Sequence, residues 1–130
     1  MAASLTVVSQ DTFLNTMDTW TTILSAVSSL SDEQRTGDGE WLTSQEVVSI
    51  NIHNNDSATH IIQIRKTYGT NSYILRTVTL AQYDSELIAG EDRPVRVLRK
   101  SELIEAWVVG TTPAANTVSV SVVPRYERSR

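Results

Sequence analysis

Residues 47–66 read Val-Val-Ser-Ile-Asn-Ile-His-Asn-Asn-Asp-Ser-Ala-Thr-His-Ile-Ile-Gln-Ile-Arg-Lys, and this stretch decides the fold. Val48, Ile50 and Ile52 alternate with Ser49, Asn51 and His53. That period of two puts one set of side chains on each face of a strand. Asn54-Asn55-Asp56-Ser57 is a turn, built from short polar side chains that bond their own backbone. Ile62 and Ile64 then alternate with Gln63 and Arg65, which predicts a return strand over residues 59–66. Two strands joined this tightly are antiparallel and share one apolar face.

The same reading extends toward the C-terminus. Tyr68-Gly69-Thr70-Asn71 predicts a second turn and residues 72–80 a third strand. A short strand or turn follows around Glu86-Leu87-Ile88, then a segment after Pro94 with Val95, Val97 and Leu98. Residues 103–109 are an apolar run, 112–116 a turn, and 117–123 a strand with Val118, Val120 and Val122 against Ser119 and Ser121. Pro124 is expected to stop that strand. Short strands at spacings of about ten residues, with no helix-length segment between them, predict a mainly β chain folded as an antiparallel β-sandwich. Jelly-roll and immunoglobulin-like strand orders both remain open. Composition agrees: 14 Val, 9 Ile and 16 Thr make 39 of 130 residues β-branched, and such stiff side chains favour pleated strands.

Toward the N-terminus the period changes. Leu5 to Ser9 reads as a short strand. Phe13, Met17, Trp20, Leu24 and Val27 recur at spacings of four, three, four and three, with Ile23 and Leu30 widening the stripe. This predicts one amphipathic helix capped at Asp11 or Thr12. Its opposite face carries only Asp18 as a charge, so the helix is expected either to pack on its own sheet or to be partly covered by another copy or another protein. Residues 31–40 form a polar loop with two glycines. The expected organisation is therefore an N-terminal extension over 1–40 and a β-sandwich domain over 41–130, ending in a short basic tail.

Charge is divided along the chain. Residues 1–60 hold eight acids and one base, Arg35, whereas residues 61–130 hold ten bases and seven acids. Such polarity fits a small β domain that simply has an acidic end and a basic end; the other reading is complementary faces that meet in a neighbouring copy. The net charge of −4 argues against general nucleic-acid binding. There is no cysteine, so disulfides and thiolate metal sites are excluded. No apolar run reaches the roughly eighteen residues of a membrane helix. The N-terminus lacks a basic region followed by an apolar stretch, so no secretory signal is expected.

No catalytic constellation emerges. There is no G-x-S-x-G, phosphate-cradling glycine loop or H-E-x-x-H. His53 and His60 flank one turn, but strand parity sends His60 to the core side and His53 to solvent, away from a shared metal. Asp84 with Glu86, and Glu102 with Glu105, fall where surface charges belong rather than across a cleft. Arg93, Arg96, Arg99 and Lys100 lack interleaved aromatics and read as solvated edge charge. Trp20 and Trp107 sit in apolar patterns and read as core. Trp41, Tyr68, Tyr73 and Tyr83 are the rings free to stack on a sugar. The chain is read as neither an enzyme nor a cofactor protein.

Residues 41–123 resemble small β-sandwich virion structural proteins of tailed bacteriophages, of the decoration, cement and neck or tail accessory kind. The resemblance runs from Trp41-Leu42-Thr43 through Val47 to Asn54, then Ile61 to Gly69, then the strand ending at Leu80. It continues through Leu98 and Glu102-Leu103-Ile104-Glu105-Ala106 to the strand Val118–Val122. Ser44-Gln45-Glu46 stands where the pattern has Pro-Ala-Gly, and the N-terminal extension lies outside it. The resemblance implies a virion structural protein made in the host cytoplasm. It would form a trimer or ring, acting on copies of itself and on other virion proteins such as the major capsid or neck protein. Phe13, Met17, Trp20, Leu24, Val27, Arg125, Arg128 and Arg130 are the expected assembly contacts. The alternative is a carbohydrate- or receptor-binding module that stacks ligands on Trp41, Tyr68 and Tyr73.

Overall fold

Alternating side chains force a strand to bury one face, and nearly every segment of this chain alternates. The computed structural model describes residues 2–6, 10–25, 41–89, 96–98 and 102–129. Its strands are β1 (Ala2–Thr6), β2 (Gln10–Phe13), β3 (Thr21–Ser25), β4 (Trp41–Asn54) and β5 (His60–Tyr68). They continue as β6 (Asn71–Leu80), β7 (Ser85–Ala89), β8 (Arg96–Leu98), β9 (Glu102–Val109) and β10 (Val118–Ser129). One sheet has the order β1-β10-β4-β7, with β2 also on β10 and β8 also on β4; the other has the order β3-β9-β5-β6.

All strand pairs are antiparallel, and the wiring follows one rule. β5 pairs with β6, β4 with β7 and β8, β3 with β9, and β1 and β2 with β10. The first half of the chain thus runs back along the second half as a ribbon. β4–β10 and β5–β9 pairing then rolls that ribbon into two sheets. Residues 2–25, expected as an extension, supply β1, β2 and β3 to these sheets.

The sheets meet over Ile50, Ile52, Val118, Val120 and Val122 on one side and Ile62, Ile64, Ile104, Ala106 and Val108 on the other, all without exposed surface. Burying each of the Val and Ile side chains contributes about 1.5–3 kcal/mol. One detail of the alternation differs from the sequence reading. Val47 is core, because a register shift between Val123 and Pro124 changes the phase of β4 against β10. Pro124 therefore does not end β10, which continues to Ser129. A bulge tolerates a residue without an N–H, and Pro124 falls between the stretches that pair with β1 and with β2.

The expected N-terminal helix is replaced, over the described residues, by two strands and the irregular segment 14–20 between them. Residues 10–13 pair with β10 and residues 21–25 with β9. Thr12, Thr16, Thr19, Thr21, Thr22 and Ile23 are β-branched and weak helix formers. A register shift between Thr22 and Leu24 lets Ile23 and Leu24 both face the core. Between the strands the chain crosses from one sheet to the other. Asp18 anchors that crossing: its N–H donates to the Val108 carbonyl (2.7 Å), and its carboxylate accepts from the Gly110 N–H (2.9 Å). Val27 and Leu30 lie outside the described residues.

Candidate interaction surfaces

The β5–β6 hairpin turns through Gly69 and Thr70, with Tyr68 opposite Asn71. Gly69 has φ 61°, the positive value that a two-residue hairpin loop demands at its first position. Tyr68 follows Ile64 and Lys66 on the core-facing side of β5, and Tyr73 stands opposite Lys66 on that same side. The sandwich does not cover either ring: Tyr68 is 54% exposed and Tyr73 55%. Ile74, opposite Arg65, projects from the other side and is 48% exposed. The hairpin end thus presents apolar side chains on both faces.

Behind the two rings lies a buried ion pair. Lys66 Nζ is 2.8 Å from Glu102 Oε2, and both residues occupy core-facing positions. Removing two charges from water is costly, and mutual contact offsets that cost only when geometry is good.

On the outer face of the same sheet, Trp20 stacks on Trp107 with centroids 4.2 Å apart and planes 10° apart. The Arg65 guanidinium lies 4.0 Å from the Trp20 ring centre and donates from Nε to Glu105 (2.8 Å). Thr67 Oγ1 also donates to Glu105 (2.7 Å), and Trp107 Nε1 donates to Gln63 Oε1 (2.6 Å). This network pins the entry to β3 onto β9 and β5. Trp20 and Trp107 are therefore half-buried surface residues rather than core.

The turn between β4 and β5 holds the polar cluster nearest to catalytic chemistry. His60 Nε2 meets Asp56 Oδ2 at 2.6 Å, and the Ala114 N–H donates to the same oxygen (3.2 Å). The His60 contact, then the Ala114 N–H, holds the Asp56 carboxyl below its ordinary value. Asn54 Nδ2 donates to the Ala58 and Leu80 carbonyls at 2.9 Å each, and Asn54 Oδ1 accepts from the Asp56 N–H. His60 is 1% exposed, and its Nδ1 meets no hydrogen-bond partner among the described residues. An imidazole closed to solvent cannot relay a proton to a substrate, so the cluster fastens loops together. His53 points the other way and bonds Asn55 (2.8 Å).

The carboxylate pairs are likewise engaged. Asp84 caps its own turn by accepting from the Ala81 N–H, Glu86 pairs with Arg76 (2.9 Å), and Glu105 pairs with Arg65. Among the expected assembly contacts, Phe13 is 51% and Met17 44% exposed, whereas Leu24 is core. Arg125 and Arg128 belong to β10, and Arg130 lies outside the described residues. Trp41 opens β4 opposite Ser129. Tyr83 is 71% exposed at a turn with φ 67°.

No protein-family model matches the chain, and no curated protein matches it. A solved structure of Bacillus endospore appendages, described as a novel family of disulfide-linked pili, aligns with TM-score 0.44 and 12% identity. The alignment covers 98% of this chain and 86% of that one.

Proposed function

We propose that this chain is a bacteriophage virion structural protein, a capsid decoration or cement subunit or a neck or tail accessory subunit. It acts through protein–protein contacts with copies of itself and with a major capsid or neck protein. The observation that supports this most is the β5–β6 hairpin, whose end exposes Tyr68 and Tyr73 on one face and Ile74 on the other. Exposed aromatic and aliphatic side chains on a rigid element are what a desolvated protein contact uses. The rolled ribbon supports the finer reading of a jelly roll, an architecture common to viral capsid and lectin domains.

Copy number in purified particles, counted by mass spectrometry against the major shell protein, tests the reading. A count near that of the shell protein fits decoration, and a single ring's worth fits a neck or tail part. Absence from particles overturns the proposal. A second reading, sugar or receptor binding, has one observation in its favour: Tyr68 and Tyr73 are exposed neighbours on one face. Glycan binding that is lost in Tyr68→Ala would favour it.

A further inference from the structure

We propose that β6 pairs edge to edge with β6 of a second copy, across a two-fold axis at Tyr73, so that two four-stranded sheets become one continuous sheet. The proposal rests on the assembly reading above and adds the partner and the register.

Three observations carry it. First, β6 is an edge strand, bonded to β5 on one side and to no other strand among the described residues. Second, its leading segment, Asn71-Ser72-Tyr73-Ile74-Leu75, has no charge and no proline, the devices that normally keep an edge from pairing. Tyr73 and Ile74 within it are about half exposed. Third, the hydrogen-bond phase suits a two-fold axis. In a two-residue hairpin the closing pair, here Tyr68 and Asn71, exchanges both ladder bonds, and the pattern alternates from there. Tyr73 therefore bonds to Lys66, while the N–H and C=O groups of Ser72 and Ile74 point away from β5.

An axis at Tyr73 sets Ser72 against Ile74 of the second copy, and Ile74 against its Ser72. All outward groups of the segment are then satisfied on both chains. The two Tyr73 rings meet as a close, non-hydrogen-bonded pair. An axis at Ser72 would pair Ile74 with the turn residue Thr70. An axis at Ile74 would pair Ser72 with Arg76, beyond the register shift that interrupts β6 between Ile74 and Arg76. The segment is thus complementary to itself in one register, which identifies the partner as another copy rather than an unrelated chain. No like charges oppose each other in that register.

The absence of cysteine makes the register directly measurable. Facing Tyr73 positions would have Cα atoms about 4.5 Å apart, within disulfide span. Tyr73→Cys is expected to form a covalent dimer on mild oxidation under conditions where Ile74→Cys does not. Ser72→Pro removes an N–H that points at the partner and leaves the β5 ladder intact. It is expected to weaken dimerisation at least about tenfold in sedimentation equilibrium while circular dichroism stays unchanged. Equal cross-linking of both cysteine variants, or an unchanged dimer constant in Ser72→Pro, overturns the pairing. A protein that is monomeric in solution yet counted on particles overturns the β6 contact alone. A dimer linked through Tyr73 but absent from particles overturns the virion reading alone.

Discussion

Tyr73 stands directly opposite Lys66 across the β5–β6 ladder, so a half-exposed ring and a buried ammonium share one side of the sheet. The core ends between them. Ile62 and Ile64 are aliphatic inward positions; the next, Lys66, needs Glu102 to be buried at all; beyond it the rings emerge into solvent. The boundary of the core and the start of the contact surface are therefore one residue pair apart.

That arrangement predicts an asymmetric pair of variants. Glu102→Gln leaves the Lys66 ammonium buried without its carboxylate and is expected to cost about 3 kcal/mol. Adding Lys66→Met removes the bare charge and is expected to recover most of the loss. Urea midpoints at a shared m-value measure both. A double variant no more stable than Glu102→Gln would show that the ammonium is solvated through some other route.

Trp20→Ala is expected to loosen β3 from its sheet. The stacked pair contributes about 0.5–1.5 kcal/mol beyond burial, and the Arg65 contact about 0.5–1 kcal/mol more. Near-ultraviolet circular dichroism provides a specific readout, because two indoles 4.2 Å apart couple electronically. Trp107→Phe should abolish the same signal. If both variants keep it, the rings do not stack in solution. Arg65→Lys is expected to cost part of the same energy, since an ammonium cannot lie flat on a ring while donating sideways to Glu105 as the guanidinium does from Nε.

Much of this fold is legible in residues 47–66, because burying one face of a strand imposes a period of two that no other element shares. The parity of Ile62, Ile64 and His60 even fixes which histidine is inside. The N-terminal region misleads for a physical reason. Spacings of three and four from Phe13 to Leu24 arise there from two short strands and a crossing, and the β-branched residues around Trp20, namely Thr19, Thr21, Thr22 and Ile23, are the signal against a helix. The shift at Pro124 depends on the partner strand's register, which lies about 75 residues away and leaves no local trace. Tyr68 and Tyr73 were readable as exposed rings. Their adjacency was not, because it follows from the turn at Gly69 and the pairing it sets.

Asp56 makes stability depend on acid. Its carboxyl is held below the ordinary value of 3.8 by His60 and then by the Ala114 N–H. A carboxyl lowered on folding contributes stability that is fully present above the unfolded value. That contribution is lost as pH falls through the lowered one. The Asp56 contribution to the unfolding midpoint should therefore be constant near neutrality and fall below about pH 4. Asp56→Asn should be less stable at neutral pH and show a shallower acid decline. An identical pH profile in the variant would mean that Asp56 is not coupled to folding.

Gly69 sets the geometry on which the whole hairpin surface depends. Nothing lies within 4 Å of where a Cβ would sit, so any cost of a side chain there is conformational rather than steric crowding. At φ 61° that cost is about 1–2 kcal/mol for an L-residue. Gly69→Ala is thus expected to lower global stability by about 1 kcal/mol, and to act mainly by opening the turn. Because the loop fixes which N–H groups of β6 point outward, the variant should weaken self-association by more than its stability loss accounts for. Hydrogen exchange separates the two effects: faster exchange confined to residues 66–75, with the β4–β10 ladder unchanged, marks the hairpin as the unit affected. Uniformly faster exchange would instead mean that the turn is coupled to the entire sandwich and cannot be adjusted alone.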